Sequence, residues 1–319
     1  MAVYDIFNGD ADGICALLQL RNADPQPSTL VTGVKRDIKL LRQVQPLAGD
    51  QLNILDVSMD KNKEDLLRVL ETGARVFYCD HHVAGDIPAN ALLDALINTA
   101  PDVCTSLLVN SRLKSAFAHW AVVGAYGDNL HKSAKALASS LSLDEKALTL
   151  LENLGTYINY NGYGSDLDDL HFAPAELYTK LSDYKNPLDF IAEDQETFGK
   201  LENGYHNDMA SAQASESLRN TQHSAAFLLP NEKWARRVSG VYGNALANES
   251  PDRAHAVLTD RPDGTFLVSV RAPLNNKVYA DQLCMEFPTG GGRKAAAGIN
   301  ALPADMLDTF LDRLDAIYS

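Results

Sequence analysis

The sequence predicts an α/β protein with two domains. Its N-terminal half alternates short apolar runs with stretches of helical apolar spacing, which is typical of a mostly parallel, doubly wound sheet. The length of 319 residues is too great for one average domain. A polar, helix-like stretch separates this half from a region of strand patterns. We therefore expect a sheet domain at 1–186, a helical linker at 187–222 and a smaller α/β domain at 223–319.

Apolar spacing predicts the elements of the N-terminal domain in order. A buried strand at 3–7 is followed by Gly9 and Gly13, which permit a tight turn, and by a helix over 14–20. The next predicted elements are a strand at 30–34, a short helix at 38–44, a strand at 52–56, a helix at 60–72 and a strand at 75–79. Such parallel sheets bind ligands beyond the carboxyl ends of their strands.

The later elements follow from the same patterns, with one ambiguity. The segment 103–128 is so apolar that residues 121–126 could form a strand or a buried helix. Predicted helices lie at 132–154, 174–184, from 187 into 193–218, within 274–287 and at 306–318, with a turn-rich loop at 159–164. Predicted strands lie at 225–229, 254–259 and 265–271, the last two joined by a hairpin at 260–264, and glycines at 290–292 interrupt the pattern.

Charge and cysteine content restrict the class of protein. Lys and Arg number 28 against 42 Asp and Glu, a formal charge of −14, which argues against a long nucleic-acid duplex as partner but allows a small anionic substrate. The cysteines form no Cys-x-x-Cys pair, so neither disulfides nor a thiolate zinc site is indicated. With no basic leader and no long apolar stretch, we expect a soluble cytoplasmic protein without a membrane partner.

Acidic residues and two histidines follow the apolar runs of the N-terminal half. They are Asp10, Asp12, Asp56, Asp80, His81, His82 and Asp128. By itself Asp-x-Asp-Gly most often forms a turn, whereas Asp80-His81-His82 alone favours a structural and a metal-binding explanation equally. At one sheet edge, however, so many carboxylates would repel unless cations lay between them. We therefore expect two divalent ions, Mn²⁺ by preference with Mg²⁺ or Co²⁺ as substitutes, that activate water for in-line attack on phosphorus.

These motifs resemble those of a known superfamily. Asn8-x-Asp10-x-Asp12-Gly13, Asp56, Asp80-His81-His82 and Asp128 are similar, in order, to the four motifs of the DHH phosphoesterases. Ser269-x-Arg271 and the glycine-rich run Gly290–Gly298 resemble the DHH-associated substrate-binding domain. The resemblance covers almost the entire chain and includes the short-oligoribonucleotide hydrolases, or nanoRNases.

The resemblance implies a role for each residue. Asn8, Asp10, Asp12, Asp56, His81 and Asp128 would hold the metals, with Asp56 bridging them. His82 would face the substrate phosphate, and Asp80 would orient a histidine. Substrate would also contact Thr105, Ser106, Arg271, Gly290, Gly291, Gly292 and Arg293, with the glycines allowing close approach of a phosphate or nucleotide and the arginines binding it.

Two positions depart from the superfamily pattern. Many members have His in place of Asn8, and an amide oxygen is a poorer ligand for a transition metal than imidazole. Many also have His in place of Arg293, where a guanidinium favours a phosphate or carboxylate over a stacked base. The first metal is therefore expected to bind weakly or to be a harder ion, and substrate selectivity is expected to differ from that of relatives.

The leading hypothesis is a phosphodiesterase that converts dinucleotides and other very short RNA to mononucleotides. An exopolyphosphatase or a phosphatase of a nucleotide bisphosphate is the close alternative, because Arg271, Arg293 and Lys294 would serve either. A processive exonuclease is disfavoured, since no basic stretch with interleaved aromatic residues is present to track a strand. A nucleotide sensor without turnover is the alternative from a different class. The sequence leaves open whether the chain forms a homodimer.

Overall fold

A five-stranded parallel sheet forms the centre of the first of two units in the computed structural model, which describes residues 1–319. Its strands are β1 (Val3–Phe7), β2 (Thr29–Val31), β3 (Gln51–Leu55), β4 (Arg75–Asp80) and β5 (Leu93–Ile97), in the order β2-β1-β3-β4-β5. Because every pair is parallel, the residues that follow β1, β3 and β4 meet at one edge of the sheet.

Helices cover this sheet within the first unit, Met1–Asn203. They are α1 (Ala11–Ala23), α2 (Lys63–Glu71), α3 (Thr105–Arg112), α4 (Ala118–Gly127), α5 (His131–Ala138), α6 (Glu145–Asn161), α7 (Pro174–Ser182), α8 (Pro187–Glu193) and the start of α9 (Gln195–Gln213). Helix α4 packs against both α1 and α6. Gly127 permits this approach, because a Cβ there would lie 2.3 Å from that of Ala11.

Several predictions for the first unit need correction. The predicted helix at 38–44 is only a 3-10 turn, Leu41–Gln43. The predicted helix at 132–154 is two helices, α5 and α6, and α6 extends into the predicted loop at 159–164. The ambiguous residues 121–126 lie in α4, which is buried on almost every side and therefore lacks a polar face that would distinguish helix from strand. Strand β5 and helix α3 were not predicted.

The second unit, Gly204–Ser319, contains a six-stranded sheet. Its strands are β6 (Ser217–Asn220), β7 (Ser224–Leu229), β8 (Ala254–Asp260), β9 (Thr265–Arg271), β10 (Gly290–Arg293) and β11 (Ala296–Pro303), in the order β10-β11-β9-β8-β7-β6. Its further helices are α10 (Lys233–Glu249), α11 (Ala280–Met285) and α12 (Leu307–Tyr318). The core holds apolar residues of β8, β9 and β11 with α11 and α12.

The second unit confirms the α/β prediction, although four of its elements were not foreseen. Strands β7, β8 and β9 and helices α11 and α12 lie where the sequence predicts them. Strands β6 and β11 and helix α10 were missed. The glycines at 290–292 do not interrupt the structure, because they form β10 and pair with β11.

The predicted linker at 187–222 contains α8, α9 and β6, and the boundary between the units falls within α9. All four cysteines are buried and free. None of the helices is both long and apolar enough to cross a membrane.

Candidate metal centre

Asp10 lies in the loop between β1 and α1 and caps the helix. Its Oδ1 accepts hydrogen bonds from the backbone N–H groups of Asp12, at 3.0 Å, and of Gly13, at 3.1 Å. These N–H groups have no partner within the helix, so the carboxylate satisfies them and also interacts favourably with the helix dipole. The cap therefore holds the first acidic loop at the carboxyl edge of the sheet.

Asp12 is buried and links α1 to α3. Its Oδ2 accepts the backbone N–H of Thr105 at 2.7 Å, and its Oδ1 accepts that of Ser106 at 2.6 Å. The Ser106 hydroxyl donates to the Asp12 carbonyl at 2.8 Å. The start of α3 thus fixes the orientation of the Asp12 carboxylate.

Asp56 follows β3 with a positive φ of 58° and is only 2% exposed. The Thr105 hydroxyl donates to its Oδ1 at 3.3 Å. Thr105 and Ser106 are themselves fully buried. Their hydroxyls therefore help to hold the two aspartates in place, through the Asp56 carboxylate and the Asp12 carbonyl.

His81 is the point on which the carboxylates converge. Its Nδ1 lies 3.0 Å from the Val103 carbonyl, an oxygen that can only accept, so Nδ1 carries a proton and the neutral ring has its lone pair on Nε2. That Nε2 lies 3.4 Å from Asp56 Oδ1, 3.9 Å from Asp12 Oδ2 and 3.9 Å from Asp128 Oδ2. Asp128 follows α4, which the close packing at Gly127 brings up to the start of α1.

His82 lies beside this group and is oriented by Asp80. The distance between His82 Nδ1 and Asp80 Oδ1 is 2.8 Å, and the two histidine rings are 4.5 Å apart. Asp80 is fully buried, whereas the His82 side chain is 34% exposed. The buried Asp80 carboxylate therefore fixes the orientation of the His82 imidazole, which lies at the surface of the site.

The pKa shifts of the site arise first from burial and then from the neighbouring charges. Burial, together with Asp10 and Asp12, raises the pKa of Asp56 well above its usual value, although His82 opposes the shift. Burial also raises the pKa of Asp128, against the opposing effect of His81. Burial lowers the pKa of His82, but its hydrogen bond to Asp80 and the charge of Asp56 outweigh this, so the net shift is upward. The site favours the presence of positive charge.

Lys35 is a member of this site that sequence reasoning missed. Its Nζ lies 2.5 Å from Asp10 Oδ2 and 2.9 Å from Asn159 Oδ1. Burial raises the pKa of Asp10, but contact with Lys35 reverses the shift and makes it a lowering. A lysine four residues after a short strand carries no signal of its own, and its contact depends on how the loop after β2 passes the end of α6.

The donor set suits a divalent metal. Ligand atoms of Asp56, His81 and His82 all lie within 4.8 Å of one another, and carboxylate and imidazole groups together are typical ligands of Mn²⁺. Asp12 and Asp128 could complete a site around His81 Nε2. The buried Asn8 Oδ1 has no hydrogen-bond partner, while its Nδ2 donates to the Lys35 carbonyl at 3.3 Å.

The remaining predicted residues belong to the second unit. Cross-strand pairing places Arg293, Ala296 and Arg271 in one row of the sheet, and Gly291, Gly298 and Ser269 in the next row on the same face.

The two arginines of this surface, Arg271 and Arg293, differ in environment. Arg271 donates to Asn244 Oδ1 at 2.7 Å and to the Ser269 hydroxyl at 2.9 Å, whereas Arg293 is exposed. This face of the sheet therefore carries two arginines next to Gly291 and Gly298, which have no side chains.

Protein packing explains two of the three consecutive glycines in β10. A Cβ on Gly290 would lie 1.8 Å from the Cys284 carbonyl oxygen, and one on Gly292, where φ is 144°, would lie 2.4 Å from Ala297 Cα. A Cβ on Gly291 would have nothing within 4 Å. Gly291 is therefore the glycine that the fold itself does not require.

Solved structures with the same fold can be identified. A DHH domain, described as belonging to a family of ribosomal proteins, has a TM-score of 0.63 at 12% identity, covering 99% of this chain and 86% of that one. The exonuclease RecJ bound to manganese has a TM-score of 0.63 at 16% identity, and the match covers 99% of this chain and 90% of RecJ. An exopolyphosphatase-related protein from Bacteroides fragilis has a TM-score of 0.55 at 14% identity, and the match covers 99% of this chain and 92% of that protein.

The chain therefore has the two-unit α/β fold of DHH-domain proteins, as the sequence motifs predict. Comparison of the sequence with models of protein families and with curated proteins gives no match. At these levels of identity the similarity establishes the fold, and the activity has to be argued from the site.

Proposed function

We propose that this chain is a metal-dependent phosphoesterase that hydrolyses dinucleotides and other very short oligoribonucleotides to mononucleotides. The observation that carries the proposal is the convergence of Asp12, Asp56 and Asp128 on the lone pair of His81 Nε2. Buried carboxylates around an imidazole are unfavourable in a purely structural role and suited to holding a cation. One of the structures with this fold is described as bound to manganese.

Asp12, Asp56, His81 and Asp128 would hold an Mn²⁺ ion, for which Mg²⁺ or Co²⁺ could substitute. When bound, the ion polarises the phosphoryl group and makes water acidic enough to supply a nucleophile near neutral pH. The chain contributes the orientation of its ligands. The start of α3 fixes Asp12, the Thr105 hydroxyl fixes Asp56, and the Val103 carbonyl keeps the His81 proton on Nδ1.

His82 binds the phosphate in this proposal. Because its Nδ1 is engaged by Asp80, the remaining ring nitrogen is the one available to substrate. The upward shift in the pKa of His82 favours the imidazolium, which donates a charge-assisted hydrogen bond to a phosphate oxygen. Asp80 acts as a positioning residue because its carboxylate hydrogen-bonds the histidine that binds the phosphate.

Arg271, Arg293 and Gly291 of the second unit bind the substrate in this proposal. Gly291 has no packing requirement in the fold, so its lack of a side chain suits close approach of a phosphate to the backbone. Arg293 is exposed and suits an anionic group. The net charge of −14 favours a short substrate held by a few such groups over a long one.

A phosphatase of polyphosphate or of a nucleotide bisphosphate is the second candidate. Arg293 favours it, because a guanidinium recognises a phosphate more directly than it recognises a base. One structure of the same fold is described as exopolyphosphatase-related. Both candidates use the same metal centre, so they differ only in substrate.

Product release from a panel of substrates distinguishes the phosphodiesterase from the phosphatase. The panel contains dinucleotides, five-mers, polyphosphate and adenosine bisphosphate, each assayed with Mn²⁺, with Mg²⁺ or with a chelator. We expect rapid Mn²⁺-dependent cleavage confined to the dinucleotides. Phosphate release from polyphosphate or the bisphosphate would replace the proposal with the second candidate. Binding of nucleotides without turnover in any metal would identify a sensor.

A further inference from the structure

We infer that the ammonium group of Lys35 takes the place of one of the two metal ions expected at this site, so that each chain binds a single divalent ion. The inference deepens the proposed function, because it rests on a metal held by Asp12, Asp56, His81 and Asp128. It concerns the other position, to which Asn8 and Asp10 belong.

Asp10 has little capacity left for a metal. Its Oδ1 already accepts two backbone N–H groups, those of Asp12 and Gly13, and its Oδ2 accepts Lys35 Nζ at 2.5 Å. A carboxylate offers about four lone-pair positions, and donors of the chain occupy three of them. Because Lys35 is an ammonium and Asp10 a carboxylate, this contact is a charge-assisted hydrogen bond. Asp10 is therefore neutralised within the chain.

The chain holds Lys35 in this position from several directions. Its Nζ also donates to Asn159 Oδ1 at 2.9 Å and lies 5.1 Å from the centre of the Tyr163 ring. Its backbone N–H donates to the Gly162 carbonyl at 2.9 Å. The side chain is 24% exposed. These contacts, all at or just after the end of α6, identify a built site for an ammonium group and distinguish Lys35 from a mobile surface lysine.

What remains at this position is a weak donor set for a second ion. Asn8 supplies a neutral amide oxygen, and Asp56 is shared with the ion beside His81. A divalent ion on Asp10 would also lie close to the Lys35 ammonium, and like charges at such distances repel strongly. The charge of Lys35 also acts on Asp128, but its ammonium group is hydrogen-bonded to Asp10 and Asn159 and not to the ligands around His81 Nε2. The two positions are therefore unequal.

Titration with Mn²⁺ tests the inference directly. The number of ions bound by the purified full chain is measured by isothermal calorimetry and by electron paramagnetic resonance, since two adjacent Mn²⁺ ions couple and alter the six-line signal of an isolated ion. We expect one ion and an uncoupled spectrum in the wild type. Lys35→Met removes the charge at similar length and should bind two ions. Lys35→Arg retains the charge and should bind one.

Two bound ions in the wild type would overturn the inference, and this result does not depend on whether any variant folds. One ion in both the wild type and Lys35→Met would also overturn it, because Asn8 and not Lys35 would then limit the site. Binding of one ion without hydrolysis of any phosphoester would leave the inference standing and remove the proposed function. Hydrolysis by a wild-type chain that holds two ions would leave the proposed function standing and remove the inference about Lys35.

Discussion

Asp56 combines three features that destabilise a folded chain. Its φ is positive, its carboxylate is buried, and its pKa is raised by burial and by the charges of Asp10 and Asp12. An acid whose folded-state pKa is raised stabilises the fold below its unfolded pKa and loses that contribution as pH rises through the raised value. Near neutral pH the residue therefore favours metal binding at the expense of the stability of the metal-free chain.

The first prediction is that Asp56→Asn separates these effects. Asn tolerates a positive φ, whereas Ala would add about 1–2 kcal/mol of backbone strain. With chelator at pH 7.5, we expect the variant to be more stable than the wild type by roughly 1 kcal/mol, measured by urea unfolding. Mn²⁺ affinity should fall at least tenfold, and hydrolysis should be lost. A stable variant with near-normal hydrolysis would contradict the assignment of Asp56 as a metal ligand.

The second prediction concerns Asp80, which contacts His82. Asp80→Asn should leave Mn²⁺ affinity within about threefold while lowering kcat by roughly 10–100-fold, the usual effect of removing an orienting carboxylate. Asp128→Asn is the matched control, because it removes a carboxylate next to His81 and should lower Mn²⁺ affinity as well. Calorimetry and steady-state kinetics give the two quantities. Equal loss of metal affinity in both variants would show that Asp80 also acts on the metal.

At the scale of elements, a strand or helix can be predicted from the sequence when its own residues determine it, and cannot when contacts with distant residues do. Strands β1, β3 and β4 are buried apolar runs, and parallel pairing alone brings Asp10, Asp12, Asp56 and His81 to one edge. Strand β10 consists mainly of glycine, so only its pairing with β11 makes it a strand. Lys35 could not be predicted for a similar reason, because its partners Asp10 and Asn159 are distant in sequence.

The third prediction uses the glycines of β10. Gly290→Ala should lower the stability of the second unit by roughly 2–3 kcal/mol, because its Cβ would overlap the Cys284 carbonyl. Gly291→Ala meets open space and should leave stability unchanged or raise it by about 0.5 kcal/mol. If substrate approaches the backbone there, Gly291→Ala should raise KM by about tenfold, or ~1.4 kcal/mol.

Thermal unfolding and dinucleotide kinetics measure the two effects in parallel. Lys277→Ala, which changes another exposed position of the second unit, serves as the control for nonspecific loss of affinity. An unchanged KM in Gly291→Ala would remove this glycine from the substrate site and leave its identity without a functional explanation.

At the scale of the whole molecule, acid should change the stability of the two units in opposite directions. In the metal-free first unit, burial and neighbouring carboxylates raise the pKa values of Asp56 and Asp128, so lowering the pH protonates these buried groups and stabilises the unit. In the second unit, burial and the nearby Arg253 lower the pKa of His255 to about 4. The neutral imidazole stabilises that unit above the unfolded pKa of about 6.5, and this contribution is lost as pH falls towards 4.

The fourth prediction follows from the position of the two tryptophans, because Trp120 lies in the first unit and Trp234 in the second. Trp234→Phe leaves Trp120 as the fluorescent reporter, and Trp120→Phe leaves Trp234. In urea with chelator, we expect the Trp120 midpoint to rise as pH falls from 7.5 to 5.5. The Trp234 midpoint should fall between pH 6.5 and 4.5, by the equivalent of roughly 2 kcal/mol. His255→Gln in the second background should flatten that dependence, since its amide does not titrate. Midpoints that move together in both backgrounds would mean that neither the metal-site carboxylates nor His255 governs the acid response.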